Sequence, residues 1–137
     1  EEFRTKHFTK VSAKNFDAVI AGMLAVTQSG TGAGVAIKGI NIGGKTGTVQ
    51  NPHGKNHSAY MAFAPVEDPK IAIAVVVEEA GYGATWAAPI AHLMIEHYLQ
   101  ADSVTESSKM YLETRLKEAN LIPLKYRSQR DTSLYGN

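Results

Sequence analysis

The sequence predicts an α+β fold: a three-stranded antiparallel β-meander packed between an N-terminal and a C-terminal helix, followed by a C-terminal extension. Three observations carry this. Apolar residues recur with helical period between Phe16 and Thr27. Three β-branched or aromatic runs lie between residues 43 and 77, separated only by short turn-rich connections. An alanine-rich apolar run then precedes Leu99. Connections this short join neighbouring antiparallel strands, whereas parallel strands need a long crossover.

The elements follow in order. Ser12 is a candidate N-cap. Phe16, Val19, Ile20, Met23, Leu24 and Thr27 then form one apolar stripe at i, i+3, i+4, i+7, i+8 and i+11. Gly30, Gly32 and Gly34 end that helix. The polar, alternating residues before it predict a short strand or an arm. The first strand runs from about Gly43 to Gln50, the second from His57 to Ala64, and the third from Ile71 to Val77. The third sets Ile71, Ile73, Val75 and Val77 against Ala72, Ala74 and Val76. This pattern predicts that both faces are covered, with a helix backbone close to the small alanine face. Gly81-Tyr82-Gly83 breaks the sheet, Thr85 is a candidate cap, and Pro89 sits in the first turn of the second helix. Ile90, Leu93, Met94 and His97 make one stripe, widened by Ala87, Ala91, Ile95, Tyr98 and Leu99. A helix that is apolar nearly all round is expected to be largely buried. Residues 1–100 therefore read as one unit. Residues 101–137 read as an extension: a linker, an amphipathic stretch from Lys109 to Asn120, then an irregular tail after Pro123.

Composition narrows the function. The chain has 137 residues, 44% of them hydrophobic, with 14 basic and 13 acidic side chains. That near-neutral balance calls for neither nucleic acid nor an anionic membrane surface. There are no cysteines, which excludes disulfides and thiolate metal sites. No apolar run reaches the ~18 residues of a membrane span, and no signal peptide is visible. The start at Glu1-Glu2-Phe3, without an initiator Met, reads as an excised or processed segment whose targeting sequence and anchor lie elsewhere.

Gly44-Lys45-Thr46-Gly47-Thr48 is the stretch that carries chemistry. It fits two patterns. One is the Lys-Thr-Gly strand of serine acyl-transfer enzymes that react with penicillin. The other is a phosphate loop, since Gly39 to Thr46 fits G-x-x-x-x-G-K-[ST]. A phosphate loop must open a helix, because the helix N-terminus completes its anion site. Here Gly47-Thr48-Val49-Gln50 continues as strand, and Asn51-Pro52-His53-Gly54 reads as a turn. Period two puts Lys45 and Gly47 on one side of the strand and Thr46 and Thr48 on the other. A strand with a cation, two hydroxyls, a glycine gap and free N–H groups is a receptor for carboxylates and oxyanions.

Other candidates read as structural. His92, Glu96 and His97 are spaced H-x-x-x-E-H, which matches neither zinc-helix pattern, so no metal is expected. His92 reads as a buried, hydrogen-bonded helix histidine, and His53 and His57 flank a solvated hairpin. Glu78 and Glu79 point to opposite faces, and Trp86 reads as core or interface. Lys125, Arg127 and Arg130 are scattered among polar residues and form no nucleic-acid face.

Taken together, the elements resemble a family. The strand Gly44-Lys45-Thr46-Gly47-Thr48, the strand His57 to Ala64 with Pro65, the run Pro69-Lys70-Ile71 to Glu78 and the closing helix are similar, in that order and spacing, to the end of the transpeptidase domain of class B penicillin-binding proteins. The likeness is greatest to the penicillin-binding protein 2 branch, and it covers about residues 10 to 100. It implies the penicillin-binding/β-lactamase-like fold, a sheet flanked by terminal helices with an all-helical lobe opposite. It also implies a serine-type D-Ala-D-Ala transpeptidase or carboxypeptidase that cross-links peptidoglycan stem peptides and is acylated by β-lactams, at the outer side of the bacterial inner membrane. No cofactor is implied. Lys45 would then stand beside the active-site serines, Thr46, Gly47 and Thr48 would bind the substrate carboxylate, and the Thr48 N–H would be an oxyanion donor. The departure is as clear: no Ser in the chain has Lys three residues on or Asn two residues on, so S-x-x-K and S-x-N are both missing. The chain thus reads as one wall of a cleft whose nucleophile lies in the remainder of the domain. Two alternatives stay open from the residues alone: a non-catalytic module that holds a carboxylate or peptide on the same strand edge, and a phosphate-loop nucleotide binder. Loss of the opposite lobe also predicts self-association of the isolated segment.

Overall fold

A computed structural model describes residue 5, residues 8–100 and residues 110, 113 and 114. Helix α1 spans Ala13–Gln28, and a single 3-10 turn follows at Ala33–Val35. Strands β1 (Gly43–Val49), β2 (His57–Ala64) and β3 (Ile71–Val77) form one sheet in the order β1-β2-β3, and helix α2 (Ala87–Leu99) closes the unit. Both pairings are antiparallel. Lys45 faces Met61, Thr46 faces Tyr60 and Thr48 faces Ser58, while Tyr60 in turn faces Val75. The meander expected from the sequence is present, with β2 and β3 at the expected bounds and β1 ending one residue early.

α1 begins after Ser12, whose carbonyl accepts the Asn15 N–H at 3.0 Å while its hydroxyl makes no cap bond. At the far end Gly30 and Gly32 donate back to Ala25 and Val26 at 3.0 and 2.9 Å, closing the last turn. Thr27 is the only buried residue of α1, and its hydroxyl lies 2.5 Å from the Ile42 carbonyl. This bond ties the helix to the entrance of β1. The stripe read from the sequence is covered only toward this end. Ile20, Met23 and Leu24 are half-buried, whereas Phe16 and Val19 are 46% and 59% exposed.

The core lies between the sheet and α2. Ile42, Tyr60, Ala62, Ala64, Ala87, Ala88, Ala91 and Ile95 form it, with Ile71, Ile73, Val75 and Val77 packed against it. Small residues on both partners let α2 lie close to β2. Burying the fully enclosed Ile95 side chain contributes about 2–3 kcal/mol.

Two expectations fail here. β3 is covered on one face only: Ala72, Ala74 and Val76 are exposed, because α2 packs on the isoleucine and valine face. The alternation in β3 marks a half-covered strand, and the alanines are small because nothing described fills the space above them. α2 is largely buried, as expected, with one exposed side. Ala88, Ala91, His92, Ile95 and Glu96 are buried, while Met94, His97 and Tyr98 are exposed. Its N-cap position falls on Trp86 rather than Thr85. The partner for its first turn comes from β2 instead, where the Ser58 hydroxyl accepts the Ala87 N–H at 3.1 Å. Of the extension, only Met110, Glu113 and Thr114 are described, all helical. The rest of the expected linker, amphipathic stretch and tail lies outside the described residues.

Candidate active-site strand

Among the described residues β1 is an edge strand, with β2 on one side and no strand of this sheet on the other. Lys45 and Thr48 are exposed, and Thr46 and Gly47 are half-buried. The Lys45 Nζ donates to the Thr46 carbonyl at 2.6 Å. A Cβ built on Gly83 would meet Gly47 N, Gly47 O and Ala59 O within 3.0 Å, which marks Gly47 and Ala59 as a closely paired couple in the ladder. In an antiparallel strand the N–H and C=O of one residue point to the same side, and the side alternates along the chain. With Gly47 turned toward β2, the N–H groups of Thr46 and Thr48 open onto the free edge. Among the described residues, β1 therefore presents a cation, two hydroxyls and edge-facing backbone donors within five residues. Strand β1 runs on through Val49, so Lys45-Thr46 opens no helix, and the phosphate-loop pattern has no anion site behind it.

Neighbouring segments hold this strand from four directions. On the helix-bearing face, the phenol of Tyr60 slides diagonally beneath Gly44: a Cβ there would lie 2.0 Å from the hydroxyl oxygen. On the opposite face the Phe63 ring occupies the same space beside Gly43, 2.7 Å from a built Cβ. The two glycines that precede Lys45 thus fit between two rings. At the C-terminal side, Gly83 rests on the β1–β2 ladder at Gly47. Ser58, fully buried, donates to the Tyr82 carbonyl at 2.9 Å and so fixes that loop. From the α1 side, the Thr31 and Thr46 hydroxyls are 2.9 Å apart. The turn through Gly30 and Gly32 delivers Thr31 to this place.

Behind β1, Tyr60 and His92 share a hydrogen bond of 2.8 Å, with both side chains buried. Burial pushes the Tyr60 phenol up to about 12, so it stays neutral and keeps its proton at neutral pH. A cavity of about 270 Å³ lies between the end of α1, the loop before β1 and His92. Lys45, Thr46 and Thr48 do not line it. Among the described residues no cluster of His, Cys, Asp or Glu could hold a metal ion. The expectation of a buried, hydrogen-bonded His92 holds. His57 is more engaged than a solvated hairpin histidine, since its Nδ1 accepts the Glu79 N–H at 3.0 Å.

Residues 2–96 match the penicillin binding protein transpeptidase domain. The chain belongs to that family. It is 36% identical over 114 residues to the peptidoglycan D,D-transpeptidase PbpA of Mycolicibacterium smegmatis, covering 75% of this chain and 22% of that protein. Among solved structures it resembles Pseudomonas aeruginosa PBP2, with a TM-score of 0.61 and 26% identity over 88% of this chain and 23% of that one. It also resembles penicillin-binding protein A of M. tuberculosis in a ceftriaxone acyl-enzyme complex, with a TM-score of 0.57 and 34% identity over 66% of this chain and 22% of that one. The chain spans about a fifth or less of the curated relatives it matches, 22% of PbpA from M. smegmatis and 16% of a Haemophilus influenzae D,D-transpeptidase. The class B transpeptidase resemblance read from the sequence is thereby met.

Lys45, Thr46, Gly47 and Thr48 all lie on β1, with Lys45 and Gly47 on one face and Thr46 and Thr48 on the other. Sequence reasoning missed Thr31, Tyr60, Ser58 and Gly83. For Thr31 and Gly83 a signal existed: glycines crowd around both positions, and glycine marks close approach of another backbone. Tyr60 and Ser58 carried no local signal, because their partners His92 and Ala87 are 32 and 29 residues away.

Proposed function

We propose that this chain forms one wall of the active-site cleft of a peptidoglycan D,D-transpeptidase, completed by a segment that carries the nucleophilic serine. The observation that supports it most is the free edge of β1, with Lys45, Thr46 and Thr48 clustered on it in a member of the transpeptidase family. The substrate is a stem peptide ending in D-Ala-D-Ala. Its terminal carboxylate is an acceptor only, and the Thr46 and Thr48 hydroxyls are the donors facing it. The serine oxygen attacks the penultimate carbonyl. The Thr48 N–H stabilises the resulting oxyanion, where a positioned donor is worth most. The terminal D-Ala leaves with a proton, and the amine of a second stem peptide takes the acyl group from the serine. Lys45 contributes positive charge beside the serines and assists proton movement.

The same reading includes β-lactams as acylating ligands, in line with the ceftriaxone acyl-enzyme of the M. tuberculosis relative. It places the work in the bacterial cell envelope, on the extracytoplasmic side of the inner membrane. No helix among the described residues is long and apolar enough to cross a membrane. The natural partner of the chain is the remainder of its own transpeptidase domain. A labelled penicillin, read by denaturing electrophoresis and intact mass, tests the proposal. The full-length parent should take one equivalent on a serine outside residues 1–137, and this chain alone should take none. A stoichiometric adduct on the chain alone, or none on the parent, would overturn it.

A further inference from the structure

We propose that Tyr60 and His92 act as a pair of positioning residues for the reactive strand: a hydroxyl bridge from α2, held beneath Gly44, sets the depth at which β1 presents Lys45 and Thr46. The inference rests on the transpeptidase reading of β1. As an edge strand among the described residues, β1 has ladder bonds on one side only, so its position depends on what packs against its faces. Directly across from Thr46, the buried Tyr60 sends its ring diagonally to Gly44. There the phenol oxygen fills the space a Cβ would need, 2.0 Å from its built position. The same oxygen is 2.8 Å from His92 Nε2, and the two rings are 5.4 Å apart at 48°. His92 lies in the buried face of α2, next to Ala91 and one turn from Ile95 and Ala88 in the core. A continuous contact therefore runs from the helix, through one hydroxyl, to the backbone one residue before Lys45. The glycine is what allows this contact, and the hydrogen bond is what fixes the ring's reach.

Neither residue touches the open edge, so the pair acts through β1. The test uses the full-length parent with Tyr60→Phe, His92→Leu and the double variant. Saturation kinetics with penicillin separate the acylation rate constant from the dissociation constant, and melting temperature is measured alongside. Tyr60→Phe should slow acylation about tenfold with little change in initial binding, since small misplacements of a reacting group cost rate before affinity. The double variant should lose less melting temperature than the two single losses added together, because both single changes break the same bond. It should not recover the acylation rate. Recovery of rate together with melting temperature would reduce the pair to a stability device and overturn the inference, as would wild-type acylation in Tyr60→Phe. A wild-type parent that takes no penicillin at all fails at the preceding proposal instead, so the two failures are told apart.

Discussion

Gly44 and Gly47 lie three residues apart on opposite faces of one strand, and the space around them differs. A Cβ on Gly44 would collide with the Tyr60 hydroxyl, while one on Gly47 would meet the Ala59 Cβ at 3.5 Å, an ordinary contact. Gly44→Ala should therefore destabilise the parent protein by about 1–3 kcal/mol through overpacking. Gly47→Ala should leave melting temperature nearly unchanged, whatever it does at the open edge. Thermal unfolding of the two variants checks this, and equal losses would contradict the packing described. The example also shows what was legible. Lys45, Thr46, Gly47 and Thr48 are contiguous, so their chemistry could be read as a word. Gly44 could be read as part of that word, but its steric reason could not, because Tyr60 is a strand away. The glycines around Thr31 were read only as a helix end, although they also bring its hydroxyl to Thr46.

At the scale of elements, period and turn chemistry were enough to place β2 and β3, since Pro65, Pro69 and the Asn51-to-Asn56 turn bound them on both sides. Face coverage was not legible in the same way. An alternating Ile/Val and Ala strand has apolar residues on both faces, and pattern alone does not say which face a helix covers. The open face carries Met61 and Val76, which are 58% and 65% exposed, beside Ala72 and Ala74. Together with the free edge of β1 this makes an apolar, unpaired surface of the kind that pairs with other chains. The isolated chain should self-associate, and Met61→Lys with Val76→Lys should shift it toward monomer with little change in melting temperature. Sedimentation across a range of concentrations reads this directly. A wild-type chain that stays monomeric at high concentration would show that the open face is shielded.

At the scale of the whole molecule, the proposed function makes the chain a half-site. The sheet and α2 make a core of their own, while the chemistry is displayed on an edge that contains no nucleophile. The arrangement fits a division of labour across a cleft: this side supplies charge, hydroxyls and edge N–H groups, and the other supplies the serine. The central claim is that β1 is the electrostatic wall of that cleft. Its most direct test is the penicillin acylation rate of the full-length parent carrying Lys45→Ala, with melting temperature as a control. The account predicts a fall of at least ~10²-fold, the scale of removing one positioned charge or proton-transfer group. Melting temperature should stay nearly unchanged, because Lys45 is exposed and contributes little to the core. Thr48→Pro, which deletes the edge N–H, should be slowed more than Thr48→Ala, which keeps it. Acylation at the wild-type rate in Lys45→Ala would contradict the assignment of β1.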